Sequence, residues 1–283
     1  MPEGHTLHRL AGELTRVFGG RRVRASSPQG RFADGAALVD GQALEAAEAW
    51  GKHLFIAFPA ERFVHVHLGL YGKLDVVTGA AEVPQPVGEV RLRLVAADGP
   101  GGTSYADLRG ATACELLTGE QRDALVARSG PDPLRPGTDP TPAWERIRRS
   151  RAPIGGLLMQ QDIIAGIGNV YRAELLFRHR MDPLRPGSTL RSGQFRAMWE
   201  DLVDLMTEGV RTGRIDTVRP EHLPEAMGRA PRVDDHGGEV YVYRRAGQTC
   251  HVCGATVRTE VLLGRNLFWC PRCQPRFRSR AVQ

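Results

Sequence analysis

No stretch of this 283-residue chain approaches the ~18 consecutive apolar residues that a membrane helix needs, so no membrane span is expected. Behind Met1 comes Pro-Glu-Gly-His-Thr, with neither a basic n-region nor an apolar h-region. No secretory signal is expected either, and the reading is a cytoplasmic protein. Cysteine is scarce: there are five, four of them clustered near the C-terminus, with Cys114 standing alone. Stable disulfides are rare in a reducing compartment, so the cluster needs another explanation. No internal repeat is visible. What is present is 41% hydrophobic residues, enough for real cores, over a length that suits two ordinary domains. The net charge of +6 fits a polyanionic partner, although many soluble proteins carry as much.

Leu7, Leu10, Ala11, Leu14, Val17 and Phe18 recur at helical spacing, and Gly19-Gly20 ends that helix. From 22 to 117 the pattern turns to short alternating runs, such as 53–58, 63–68 and 90–95, broken by glycine; this predicts a β-sandwich. Residues 119–128 read as a short helix. A run rich in proline and turn residues follows, which places an interdomain linker at 131–144. Beyond it the signal is helical, with Phe195, Met198, Trp199, Leu202, Val203 and Met206 on one face. Residues 214–238 have no period and read as a long, mobile loop.

Cys250-His251-Val252-Cys253 and Cys270-Pro271-Arg272-Cys273 are two CxxC pairs separated by sixteen residues. Four thiolates at this spacing complete a tetrahedral zinc site. His251 is not expected to be a fifth ligand, so no position stays open and the zinc is structural. Between the pairs, 257–263 and 267–269 read as strands flanking a Gly264-Arg265-Asn266 turn. Arg265 then sits at the tip of a zinc hairpin, either merely solvated or clamping a phosphate.

Two further segments carry chemistry. Removal of Met1 would leave Pro2 as a free secondary amine beside the Glu3 carboxylate. An α-amine has a pKa near ~8 and can act as a covalent catalyst, giving an iminium on attack at a sugar C1′. The plainer alternative is that Pro2 and Glu3 simply suit the start of a helix. Residues 153–160 read as a helix, 161–168 as consecutive tight turns, and Asn169 as the N-cap of a second helix over 170–178. Amides of those turns could hold a phosphate, or the glycines there could only permit close packing.

Pro2-Glu3, Gly166-Ile167-Gly168-Asn169-Val170-Tyr171 and the hairpin ending in Cys270-Pro271-Arg272-Cys273-Gln274, in that order, resemble the Fpg/Nei family of DNA glycosylases/AP lyases. The resemblance covers nearly the whole chain. The Met-Pro-Glu-Gly-His-Thr start and Leu70-Tyr71 resemble the endonuclease VIII (Nei) branch, in particular its actinobacterial members. The resemblance implies a two-domain α+β fold: an N-terminal β-sandwich domain with an N-terminal helix (1–130), the linker, a helical domain with a helix-two-turn-helix motif (145–245), a zinc β-hairpin (246–275) and a disordered tail (276–283). It implies DNA bound between the domains, Pro2 as nucleophile, Glu3 as acid/base, and Lys52 as a catalytic lysine on a β-hairpin. Asn169 and Arg265 become phosphate contacts, Arg265 also assisting the second elimination. Leu70 and Tyr71 become a wedge filling the vacancy left by a flipped-out nucleotide, and Arg109 a contact to the opposite strand. Cys250, Cys253, Cys270 and Cys273 hold one zinc ion. The expected partner is damaged DNA, met by a monomer at the bacterial nucleoid.

Read alone, Lys52 is a solvated turn lysine and Leu70 either a core residue or, in a Gly69-Leu70-Tyr71-Gly72 turn, an exposed one. The chain also departs from the family pattern. Thr6 replaces a glutamate found in many members. Asp107-Leu108-Arg109-Gly110-Ala111 lacks the aromatic of the Fpg branch, and Met159-Gln160-Gln161 replaces Met-Asp-Gln. The expectation is a bifunctional glycosylase/AP lyase for oxidised pyrimidines, working by β,δ-elimination. The alternatives are an 8-oxoguanine/formamidopyrimidine glycosylase, a glycosylase specialised for bulky adducts or cross-links, and a noncatalytic zinc protein that recognises lesions.

Overall fold

The apolar stripe from Leu7 to Phe18 becomes α1, Gly4–Phe18, with Leu7, Leu14 and Phe18 fully buried. Its exit uses Gly20 at φ +74, a left-handed value that glycine adopts without steric cost. A computed structural model describes residues 2–99, 102–233 and 238–278. The chain divides into two compact units, Met1–Arg128 and Ser129–Gln283.

In the first unit, α1 is followed by β1 (Arg24–Ser26), α2 (Ala33–Val39), β2 (Ala46–Trp50), β3 (His53–Phe58), β4 (Arg62–His67), β5 (Lys73–Ala80), β6 (Val90–Gly99), β7 (Gly102–Arg109), β8 (Ala113–Thr118) and α3 (Gly119–Ala127). The strands make two antiparallel four-stranded sheets, ordered β1-β6-β7-β5 and β2-β3-β4-β8. One core lies between them. Leu54, Ile56, Val64 and Val66 from one sheet meet Leu74, Leu92, Leu94, Ala106 and Leu108 from the other, with α1 against the same cluster. The alternation read at 53–58 and 63–68 is this inward face, so the sandwich expected from the sequence is what forms. The helix expected over 119–128 is α3, opened by a Thr118–Gln121 capping box.

The second unit holds α4 (Thr141–Arg148), α5 (Ile154–Leu157), α6 (Asn169–Arg178), α7 (Ser192–Thr212), α8 (Pro224–Met227), β9 (Arg258–Leu262) and β10 (Arg265–Trp269). Helices and hairpin share one core, which joins Leu157, Val170, Phe177 and Leu202 to Val257, Phe268 and the cysteines. The proline-rich run is folded onto this unit: Asp132 is fully buried, Gly130 N–H donates to Gln161 O, and Ala165 N–H donates to Pro131 O.

Four local expectations are revised. The helix read over 153–160 is a single turn, α5, because Gly155 and Gly156 serve close packing instead of helix length. Asn169 does not cap α6: Gly168 holds the N-cap position with no side-chain cap, and Asn169 begins the helix itself. The described part of 214–238 contains a 3-10 turn at Pro220–His222 and α8, and it is tied down. Thr217 N–H bonds Glu239 O, Arg219 N–H bonds the Tyr241 hydroxyl, and Arg229 pairs with Glu239 at 2.6 Å. Residues 234–237 lie outside the described residues. The tail begins ordered: Phe277 N–H donates to Asp182 Oδ2 at 2.7 Å, and Arg185 stacks on the Phe277 ring. Its residues 279–283 also lie outside the described residues. No helix among the described residues is long and apolar enough to cross a membrane.

Candidate functional site

Two ties fix α1 against β2. Gly20 N–H donates to Leu44 O, and Thr15 Oγ1 both donates to Ala47 O and accepts from Ala47 N–H. Residue numbers fall along the helix as they rise along the strand, so the two run antiparallel. From Thr15 back to Glu3 is about 18 Å of helix; from Ala47 forward to Lys52 is about 17 Å of strand. The helix start therefore arrives at the tip of the β2–β3 hairpin. The register across the sheet extends this end: Trp50 faces His53, the β3–β4 ladder begins with Leu54 across from Val66, which leaves the His53 and His67 rings side by side, and His67 faces Ala113. Beyond His67 comes the 68–72 turn, and before Ala113 the 110–112 turn. Thr112 N–H donates to His67 O, and a Cβ on Gly110 would stand 3.1 Å from Tyr71 O. Pro2-Glu3, Lys52, Leu70-Tyr71 and the Arg109 segment, dispersed over more than a hundred residues, thus share one end of the first unit.

Their individual settings differ. Pro2 is half-buried. Glu3 stands at the N-cap of α1, yet its side chain makes no capping bond and is 0% exposed. A carboxylate placed merely to favour a helix start would be solvated there, so this burial speaks against the plainer alternative. Lys52 occupies the second position of a two-residue turn after Gly51 at φ +56, the signature of a type II′ hairpin. Leu70 is 46% and Tyr71 88% exposed, which sets aside a core role for Leu70. Arg109 is committed within the unit: Nε donates to Val87 O, Nη1 to Asp75 and Nη2 to Asp107. Thr6, at the position of the missing glutamate, places its hydroxyl 3.3 Å from His5 Nε2.

The sequence reading missed a histidine cluster beside Lys52. His53 Nδ1 lies 2.9 Å from His65 Nε2, and His65 Nδ1 lies 2.9 Å from Glu115 Oε1. The His53 and His67 rings are 5.3 Å apart. Burial, then the neighbouring His65, His67, Arg128 and Lys52, pushes His53 down to about 3. His67 is also lowered, by burial first and then by His65 and Lys52. A signal was available: His65 and His67 alternate along β4 and His53 opens β3, so period 2 puts all three on one face.

In the second unit the structure joins Asn169 to the zinc hairpin. Asn169 Nδ2 donates to Asn266 O at 3.0 Å; the buried Arg172 donates to the same carbonyl at 2.9 Å and to Asn169 Oδ1. Arg265 directly precedes Asn266 and is exposed at the start of β10, across a Leu263-Gly264 turn with φ +50 and +72. It therefore flanks the tip instead of forming it. A Cβ on Gly156 would come 2.8 Å from Leu263 Cδ1, which explains the glycine pair in α5: the hairpin docks on it. Gln161 knits the two turns, accepting from Gly166 N–H and donating to Met159 O and Ile167 O. Sequence reasoning also missed Glu174, whose wholly buried carboxylate accepts from Thr217 Oγ1 and from the backbone N–H groups of Tyr241, Val242 and Tyr243. It anchors the segment that leads into the first CxxC pair.

The four cysteines fit one zinc ion. Their sulfur atoms all lie within 4.8 Å of one another, with Cys250–Cys273 at 3.9 Å and Cys253–Cys270 at 3.4 Å. Tetrahedral thiolates around zinc stand about 3.8 Å apart. His251 is not among the grouped ligands, and four sulfurs leave no open position, so the ion is structural.

Comparison with known proteins covers the same parts. Residues 1–114 match the Formamidopyrimidine-DNA glycosylase N-terminal domain, 129–220 the Formamidopyrimidine-DNA glycosylase H2TH domain, and 247–276 the zinc finger found in FPG and IleRS. The chain is 53% identical to Endonuclease 8 1 of Mycobacterium tuberculosis H37Rv, over 97% of this chain and 100% of that protein. It is 30% identical to Endonuclease 8 of Pectobacterium atrosepticum, over 97% and 100%. Its fold is similar to that of Lactococcus lactis Fpg solved with abasic-site DNA, with a TM-score of 0.74 at 22% identity, covering 97% of this chain and 100% of that one.

Proposed function

The chain belongs to the Fpg/Nei family of formamidopyrimidine-DNA glycosylases and endonucleases VIII, and from that premise we propose a bifunctional DNA glycosylase/AP lyase of base excision repair that acts on oxidised pyrimidines. The observation that carries this reading is the convergence of Pro2-Glu3 and Lys52 at one end of the sandwich, with the Glu3 carboxyl buried and making no capping bond to α1.

The damaged nucleotide must leave the stack before its C1′ can be reached. Exposed Leu70 and Tyr71 enter the vacancy as apolar wedges do, with Arg109 as a strut bracing the neighbouring segment. The Pro2 nitrogen attacks C1′, the C1′–base bond breaks, and the base leaves with a proton. The C1′–O4′ bond then breaks, opening the ring and leaving an iminium that joins enzyme to sugar. Glu3 moves the protons of ring opening. Lys52 holds the DNA and offsets developing negative charge. Loss of the C2′ proton then expels the 3′-phosphate, and a second elimination expels the 5′-phosphate, leaving a one-nucleoside gap. Arg265 and the amides near Asn169 hold backbone phosphates by charge-assisted and helix-terminus contacts.

Borohydride reduction of the iminium tests the reading. Incubation with abasic DNA should give a covalent complex whose mass and peptide map place the sugar on Pro2. A protein with a blocked N-terminus should give none. Full strand cleavage by the blocked protein refutes the mechanism, and absence of trapping by the unblocked one favours a noncatalytic lesion binder.

A further inference from the structure

The outer face of the β2-β3-β4-β8 sheet carries a polar line that the proposed chemistry does not use. Glu115 on β8 lies directly across from His65 on β4, and His65 Nε2 reaches diagonally to His53 Nδ1 at the start of β3. His65 is 3% exposed, whereas the Glu115 side chain is 54% exposed. Buried polar groups are costly unless each is satisfied, and with both rings neutral a chain of this kind satisfies them in only one consistent direction. A carboxylate has no proton to give. His65 Nδ1 must therefore carry the proton toward Glu115, which leaves His65 Nε2 as an acceptor. His53 Nδ1 must then donate to it, so His53 is an Nδ1–H imidazole with its Nε2 lone pair facing the other way. The partner of one ring nitrogen fixes what the other can do.

The neighbours make this arrangement consequential. His53 directly follows Lys52, and its ring packs on His67, the last residue of β4 before the Leu70 turn. The titratable and charged groups facing the line are Lys52 at the turn, His67 on β4, Arg128 after α3, and Glu115 on β8. One row away, Arg122 of α3 lies over Phe55 and Phe63 and pairs with Glu48 of β2.

We propose that Glu115, His65 and His53 are positioning residues: a carboxylate–imidazole–imidazole chain that fixes the ring and tautomer of His53 and thereby sets the hairpin tip that carries Lys52. The role of Lys52 rests on the glycosylase/lyase reading; the chain itself does not. A half-exposed carboxylate on the far edge strand thus controls the geometry of the catalytic end across two strands. Catalytic groups lose rate steeply when displaced by even 1 Å, by about 100-fold in severe cases. Loosening the tip should therefore cost rate more than binding.

The test has two arms. In the first, ring ¹⁵N NMR of the full-length, zinc-loaded protein at neutral pH should show both His53 and His65 neutral with Nδ1 protonated. An Nε2–H tautomer or an imidazolium at either ring refutes the chain, whatever the enzyme does. In the second, single-turnover cleavage of preformed abasic DNA is measured beside DNA affinity. Glu115→Leu should slow cleavage about tenfold with affinity within about twofold. Glu115→Gln, which keeps an acceptor oxygen, should stay within about twofold of the parent in both. Because Glu115 is half-exposed, both variants should fold; circular dichroism and zinc content check this. Equal rates for parent and Glu115→Leu refute the positioning role, as does equal loss in Leu and Gln. A parent protein with no cleavage at all refutes the lyase reading and with it any role for Lys52, while the NMR arm still decides the chain.

Discussion

Glu174→Gln should be the most damaging single-atom change in the second unit. The carboxylate is fully buried, with Oε2 accepting from Thr217 Oγ1 and Tyr241 N–H, and Oε1 accepting from the N–H groups of Val242 and Tyr243. Glutamine keeps one oxygen, which can still serve Val242 and Tyr243. Its NH₂ then abuts Tyr241 N–H, two donors facing each other, although the Thr217 hydroxyl can turn to accept. One charge-assisted hydrogen bond is lost, about 1.5–3 kcal/mol, and one buried N–H is left unsatisfied, about 1–3 kcal/mol. The sum is about 4 kcal/mol. For a unit of this size each kcal/mol moves Tm by about 2–4 °C, so the zinc-loaded variant should melt roughly 10 °C lower by calorimetry. Amide exchange at 241–243 should accelerate selectively, because these are the groups released. A Tm shift under about 2 °C, or unchanged protection at those three amides, would show that the carboxylate does not carry this segment.

Four further outcomes are expected. Glu3→Gln keeps the shape of a buried side chain but cannot move protons, so base excision should fall at least about 100-fold while cleavage of a preformed abasic site suffers less; small, equal losses in the two assays would return Glu3 to a structural role. Cys253→Ser should release zinc and unravel the hairpin, whereas Arg265→Ala should retain zinc yet weaken DNA binding by about tenfold, the scale of one charge-assisted contact; a native protein free of zinc by metal analysis contradicts the first half. Excision of thymine glycol or 5-hydroxycytosine should exceed that of 8-oxoguanine opposite cytosine, and Leu70→Ala should hurt duplex substrates more than single strands; the reverse preference, or equal losses, overturns the pyrimidine assignment or the wedge. Acid should weaken the first unit: burial holds His5 at about 4 and His53 at about 3 against an ordinary 6.5, so below pH 6.5 the unfolded chain takes up protons that the folded one refuses. Stability should then fall as pH drops toward 5, by up to about 2 kcal/mol for each histidine, and His5→Phe should lose its share of that fall in urea titrations.

Much of the site was legible in the chain because its signals are local. Two CxxC pairs at zinc spacing need only a tight turn each to make a ligand pair, and the sulfurs do converge. Period 3.6 gave α1 and α7, and alternation gave the sheet strands. The Gly69-Leu70-Tyr71-Gly72 turn exposes its side chains because glycine at both ends favours a tight reversal: Gly69 sits at φ +68, and a Cβ there would strike Thr112 Oγ1. Propensity misled where a residue had a distant partner. Asn169 is a strong N-cap by type, yet its amide is drawn to Asn266 O, 97 residues away, and Gly168 takes the cap position. Arg109, expected only through the family resemblance, is held by Asp75, Asp107 and Val87, partners that no local pattern announces.

By itself the sequence determined the metal ligands and the class of each domain, since these follow from residue type and short-range spacing, while the candidate reactive groups came from the family resemblance. Only the tertiary structure decided which groups meet. Glu174 reaches a segment 67 to 69 residues on, and Glu115 reaches His65 across 50. Neither distance leaves a periodic trace, because strand register and helix docking set it. The burial of Glu3 at the hairpin end is likewise a product of α1 running antiparallel to β2, a fact about packing that no local pattern encodes.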